Sequence, residues 1–173
     1  LRARAKGIEG ESTFLNVHFH QSDERYFGAG TGYIWYDDGN LNTYYRLYGD
    51  QSVLTTPDFK IRLGAELYHS RNRESHKDYF SPSHDLSLTL TPTLHWIHLL
   101  RYDKEVRSSI YPRLGAYRQN TYACHTIGGA TYEQLIRLSK TFELTWAVSW
   151  DRKIYDGEST NVWGGYLRFK KSF

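Results

Sequence analysis

The chain has 173 residues, 22 Lys and Arg against 19 Asp and Glu, and a formal net charge of +3. That balance is too mild to imply nucleic acid, and one cysteine, Cys124, rules out a disulfide framework and a cysteine-based metal site. Mean hydropathy is −0.66 and no apolar run is long enough for a membrane-spanning helix, yet aromatic residues reach 16 %.

Turn signals divide the chain into roughly ten extended segments. Residues 1–6 read as the tail of a strand. They are short and charged, unlike a secretory leader, so the chain reads as a mature fragment or an excised domain. Residues 13–20 alternate Leu15, Val17 and Phe19 with Asn16, His18 and His20. Residues 26–36 form a Gly-rich aromatic strand whose two faces the pattern leaves ambiguous, and Asp37-Asp38-Gly39-Asn40 is a hairpin signal. Residues 41–48 set Leu41, Thr43, Tyr45 and Leu47 against Asn42, Tyr44, Arg46 and Tyr48.

Residues 59–69 set Phe59, Ile61, Leu63, Ala65 and Leu67 against Lys60, Arg62, Glu66 and Tyr68. Residues 70–85 are polar and irregular. Residues 86–96 alternate most cleanly, with Leu86, Leu88, Leu90, Leu94 and Trp96 opposed to Ser87, Thr89, Thr91, Thr93 and His95. Pro92 falls on the oily face there and removes a ladder donor, so a bulge or unpaired backbone is expected. Residues 107–118 follow with Pro112, then a loop over 119–128, and strands over 129–139, 142–153 and 160–173. In the last two, Leu144, Trp146, Val148, Trp150, Trp163, Leu167, Phe169 and Phe173 share the oily face. Glu143, Thr145, Asp151, Tyr166, Arg168 and Lys170 share the wet one.

A period of two in long segments means strands with one oily and one wet face. The expected fold is all-β: an antiparallel transmembrane β-barrel, as one domain over 1–173. Three features favour it over a soluble sandwich. The segments often exceed eight residues, and about 9–11 are needed to cross a bilayer at a tilt. Tyr and Trp cluster toward strand ends. Charged residues such as Arg62, Glu66, Arg137 and Arg168 sit in mid-strand, which a wet lumen accepts and a sandwich core would not. Connections alternate in length: 70–85, 119–128 and 155–159 read as long, 103–105 and 140–141 as short, and 50–58 breaks the rule by being long on the short side.

The wet face supplies the candidate site. It comprises Tyr44, Arg46, Tyr48, Arg62, Glu66, Tyr68, Tyr111, Arg113, Tyr117, Glu133, Arg137, Glu143, Asp151, Tyr166 and Arg168. They line a conduit on the functional reading and make cross-strand ion pairs on the structural one. His18 and His20 share a face but lack a third ligand at suitable spacing, so neither a metal nor another cofactor is expected. His95 and Ser87, eight residues apart on one strand, stand about 26 Å apart and cannot form a catalytic pair. No enzyme motif is present.

Asp78-Tyr79-Phe80-Ser81-Pro82 before the strand 86–96 resembles a signature of bacterial exopolysaccharide export porins, and that loop is also similar to one in cellulose-export porins. Tyr132-Glu133-Gln134, Leu138-Ser139, Phe142-Glu143-Leu144, Trp150-Asp151-Arg152 and Tyr155-Asp156-Gly157-Glu158 look like the C-terminal strands of the poly-N-acetylglucosamine export porin family (PgaA type). The terminal Phe173 is similar to the signal read by the barrel assembly machinery, with Lys171 departing from it. The resemblance covers roughly residues 78–173. It implies a bacterial outer-membrane barrel of about sixteen strands, preceded by a periplasmic tetratricopeptide-repeat region, of which this chain would be the C-terminal part unless its barrel is smaller than the family's. It also implies outer-membrane lipid around the barrel, a polysaccharide passing through it, periplasmic export and deacetylase components beside it, and an acidic conduit in which Glu133, Glu143 and Asp151 matter most. Against that, the five arginines of the wet face make its charge mixed. A small barrel acting as adhesin or structural anchor, and a soluble all-β binding domain, are the alternatives.

Overall fold

A computed structural model describes residues 7–75, 77, 79, 81–120, 122–155 and 157–171, with the side chain of Tyr155 left aside. The expected strand tail at 1–6, Asp78 and Phe80 of the loop signature, Asp156 and the terminal Phe173 lie outside the described residues. Among the described residues the chain is one antiparallel meander of nine strands. These are β1 (Gly10–Ser22), β2 (Arg25–Tyr36), β3 (Leu41–Thr55), β4 (Phe59–Asn72), β5 (His84–Arg101), β6 (Lys104–Gln119), β7 (His125–Ser139), β8 (Phe142–Tyr155) and β9 (Glu158–Lys171). Each pairs with its neighbours in sequence, and β1 and β9 form the two edges.

The all-β antiparallel expectation holds, and the strands are longer than the turn signals suggested. β3 runs on through Asp50 to Thr55, so the connection expected over 50–58 shrinks to 56–58 and the exception to the length rule disappears. β4 and β5 similarly extend into the irregular stretch, leaving 73–83, and β7 begins inside the expected loop, leaving 120–124. Short connections at 23–24, 56–58, 102–103 and 140–141 share one end of the sheet; 37–40, 73–83 and 120–124 lie at the other. The connection expected to be long near 155–159 is only 156–157. Short turns face the periplasm in bacterial barrels and longer loops face outward, which orients the sheet.

Burial is inverted relative to a soluble domain. The large apolar side chains are the exposed ones, with Leu88 at 53 %, Leu114 at 61 % and Phe169 at 64 %, whereas Asp85 at 5 %, Thr89 at 8 % and Ser109 at 1 % are buried. Soluble folds bury leucine and expose aspartate. A sheet that does the reverse has curled so that its polar face is concave and its apolar face convex, ready for lipid. That overturns the soluble-domain alternative.

Two of the four prolines, Pro92 and Pro112, mark a gap in the wall. The β5–β6 register runs to Leu90↔Leu114 and resumes at Leu94↔Ile110, so Pro92 and Pro112 stand opposite each other between two paired stretches. Neither has an N–H, and opposite residues in an antiparallel pair exchange both bonds or neither. The unpaired backbone expected at Pro92 is therefore present, and Pro112 shares it. Replacing both with valine restores two donors. Stability, followed by urea-driven unfolding in liposomes, is expected to rise by about 1 kcal/mol, the two bonds being partly offset by the freer unfolded chain.

Candidate functional site on the concave face

Side-chain parity and the strand register carry Glu66, Arg62, Tyr68, Tyr111, Arg113, Tyr117, Glu133, Arg137, Glu143, Asp151, Tyr166 and Arg168 onto one face of the sheet, together with Tyr44, Arg46 and Tyr48. It is the concave one. Four of the five arginines are ion-paired there. Arg46 pairs with Glu66, its Nε donating over 2.7 Å, Arg62 with Asp50, and Arg113 with Asp151. Arg137 lies between Glu105 and Glu143, donating Nη1 to one at 2.7 Å and Nη2 to the other at 3.0 Å. Arg168 lies over the Tyr166 ring, 5.4 Å from its centroid.

Small residues make these pairs possible. In the row Arg113↔Gly129↔Asp151 the glycine leaves the guanidinium room to cross an entire strand, since a Cβ on Gly129 would strike the Asp151 carboxylate and the Trp150 carbonyl. On β2 the ambiguity of the Gly-rich strand resolves in the same way. Gly28, Gly30 and Gly32 take the concave face, where the Tyr48 ring lies over Gly28 and the Tyr44 ring over Gly32. Phe27, Tyr33 and Trp35 take the convex face and are exposed.

Glu133 is different. Its carboxylate accepts hydrogen bonds from the phenols of Tyr111, at 3.3 Å, and Tyr166. The second phenol reaches across Ala147, which stands between Glu133 and Tyr166 in register. Among the described residues no Lys, Arg or His lies within ion-pair distance of it. It is an anion held by neutral donors, with its charge directed at the lumen.

Near the middle of the sheet, Tyr26, Tyr48, Tyr68, Asp50, Glu66 and Tyr117 help to line a cavity of about 580 Å³. Its walls draw on strands from β2 to β8, which requires the sheet to wrap around it. Tyr26 and Tyr48 meet edge to face at 6.4 Å, Tyr44 and Tyr68 stack at 6.1 Å, and His18 hydrogen-bonds the Tyr48 phenol at 2.9 Å. Aromatic rings and compensated charges at this scale suit a polar, ring-shaped solute.

Several members of the wall escaped sequence reasoning. Asp50, Asp85 and Glu105 fall inside the connections expected over 50–58, 70–85 and 103–105, yet the structure places all three in strands. Continuing the alternation two residues beyond Tyr48, or back from Arg107, would have found two of them. Asp85 takes bonds from the Ser70 backbone N–H at 3.0 Å and its hydroxyl at 2.6 Å, and from Tyr117 at 3.2 Å. At the long-loop end, Asn40 is buried and joins the hairpin turn to the next loop. Its amide donates to Tyr79 and its carbonyl accepts from the Glu74 N–H. Tyr79 also donates to Asp38, and burial with that carboxylate raises its phenol above the ordinary range.

An antiparallel sheet with an apolar convex face, a charged and aromatic concave face and alternating loop lengths is the wall of a bacterial outer-membrane β-barrel. Residues 1–164 match the family model described as the PgaA membrane beta barrel domain, and the chain belongs to that family. Two Escherichia coli proteins, from strain K12 and strain O157:H7, are each named poly-beta-1,6-N-acetyl-D-glucosamine export protein. Each is 23 % identical over 175 residues, covering 100 % of this chain and 21 % of the relative. The chain thus spans about a fifth of the length of those relatives. A solved structure titled bacterial polysaccharide outer membrane secretin superposes with a TM-score of 0.93 at 19 % identity, over 99 % of this chain and 59 % of that one, a likeness of fold.

Proposed function

We propose that this chain forms part of the wall of an outer-membrane conduit through which a polysaccharide, poly-β-1,6-N-acetylglucosamine, leaves the cell during biofilm matrix production. The observation that carries the reading is the concave face. It is polar along its length, four of its five arginines are matched by carboxylates, and Glu133 alone among the four conduit acids Glu66, Glu133, Glu143 and Asp151 has only phenols for partners. Such a wall slides past neutral sugar rings and retains the occasional ammonium of a deacetylated unit. Twelve side chains make up the proposed conduit lining: Glu66, Arg62, Tyr68, Tyr111, Arg113, Tyr117, Glu133, Arg137, Glu143, Asp151, Tyr166 and Arg168.

Open edges on β1 and β9 would leave unpaired backbone in hydrocarbon, so the reading requires further strands to complete the cylinder. This favours a portion of a larger barrel over a small plugged anchor. A passive conduit has no energy source, so polymer synthesis and periplasmic export and deacetylase components supply the drive, and the barrel assembly machinery inserts the protein.

Glu133→Gln in the full gene product is the cleanest test, because it removes a charge and leaves every arginine–carboxylate pair of the concave face intact. One charge pair in water is worth about 1 kcal/mol, so polymer in the medium is expected to fall about fivefold with the folded barrel unchanged. Adding Glu143→Gln and Asp151→Asn frees Arg137 and Arg113 and should deepen the loss. Secretion equal to wild type in both variants would remove these carboxylates from the conduit.

A further inference from the structure

The convex face carries cations that the barrel itself does not use. Arg71 is the last convex-face residue of β4, in register with His84 at the start of β5; the next convex-face pair, Leu86↔Arg118, brings in β6. All three side chains lie on exposed residues. Among the described residues neither guanidinium forms an ion pair or a side-chain hydrogen bond, while the concave-face arginines Arg46, Arg62, Arg113 and Arg137 are all matched. Arg71 and Arg118 are two strands apart and offset by two residues along the strands, about 12 Å between backbones at the usual spacings, with His84 on the strand between them.

Depth decides what these charges meet. Below the cluster on the same face come Leu67, Leu88, Leu90 and Leu114, all exposed and apolar. Level with it are Tyr45, stacked on His69 at 6.3 Å, and the stacked pair Tyr33 and Trp35. Aromatic residues mark the headgroup level of a membrane barrel, and this is the long-loop, outward end of the sheet. Two unmatched guanidiniums and an imidazole at that level, facing outward, complement a phosphate, which arginine binds in a planar fork.

We propose that Arg71, His84 and Arg118 form a binding site for a phosphorylated lipid headgroup of the outer leaflet. It is a site on the outer surface of the barrel, independent of whatever passes through the lumen. A headgroup with two phosphates fits the two-strand separation better than one with a single phosphate.

The test uses the full gene product in detergent micelles, with native mass spectrometry and diphosphoryl lipid A as the probe. Wild type should retain lipid A, and Arg71→Ala with Arg118→Ala should weaken retention at least about tenfold. The variant pair sits at exposed positions and should keep the heat-dependent gel mobility of a folded barrel. Lipid A stripped of both phosphates should bind wild type as weakly as intact lipid A binds the variant. Equal retention by wild type and variant overturns the site, as does equal retention of phosphorylated and dephosphorylated lipid. Inorganic pyrophosphate held as tightly as lipid A would overturn the lipid as its occupant. Polymer secretion unchanged in the variant is expected, which keeps this site separate from the conduit.

Discussion

Leu88→Arg is expected to destabilise the folded barrel by about 2–4 kcal/mol, the cost of a cation on the lipid face near mid-bilayer. Leu88 is 53 % exposed and lies in the center of the apolar convex face, in register with Leu67 on one side and Ala116 on the other. In a water-soluble sheet the same exposure would make arginine nearly neutral, because surface substitutions there fall within about 0.5 kcal/mol. The experiment therefore reads the solvent on that face directly. Urea-driven unfolding from liposomes should show the full loss for Leu88→Arg and almost none for Leu88→Phe. A Leu88→Arg protein as stable as wild type would mean that the convex face meets water.

The alternation that predicts this was legible because hydrocarbon outside and water inside impose it on every strand. Leu86, Leu88 and Leu90 against Ser87, Thr89 and Thr91 needed no structure to be sorted. What stayed hidden has two physical sources. The first is a gap in the apolar series: Gly49 and Gln51 occupy convex-face positions of β3 with no apolar side chain, so the alternation over 41–48 stops short of Asp50 although the strand runs on to Thr55. On β2 the concave side is glycine, which carries no hydropathy signal; it is defined by the tyrosines of β3 that fold over it, and those lie twelve and twenty residues away in sequence. Pairings were beyond reach for a related reason. Arg113 finds Asp151 only because Gly129 separates them, a fact of register rather than of either residue.

Arg137 illustrates how a wall of matched charges differs from a bare acidic one. Glu105, Arg137, Glu143 and Lys170 form one row across β6 to β9, alternating in sign at the short-turn mouth. Arg107 also reaches Glu105, at 3.2 Å. Removing Arg137 therefore leaves Glu105 with a partner and strands Glu143, which takes both Nε and Nη2 of the guanidinium. Charged hydrogen bonds are worth about 1.5–3 kcal/mol each, but the Arg137 side chain is 38 % exposed and water recovers part of that, so Arg137→Ala should cost about 2 kcal/mol in total. A double-mutant cycle with Glu143→Gln should recover most of it, since the stranded charge is then absent. Arg137→Lys should restore part of the loss, because an ammonium cannot supply the two parallel donors of the fork. On passage the expected sign is opposite to that of Glu133→Gln. If the proposed, partly deacetylated polymer is what passes, freeing a carboxylate at the mouth raises the local concentration of its ammonium-bearing units, and the gain should shrink as salt rises from about 0.05 to roughly 0.5 M. A variant that loses stability and secretion together, at every salt concentration, would show that Arg137 holds the wall and does nothing to what passes along it.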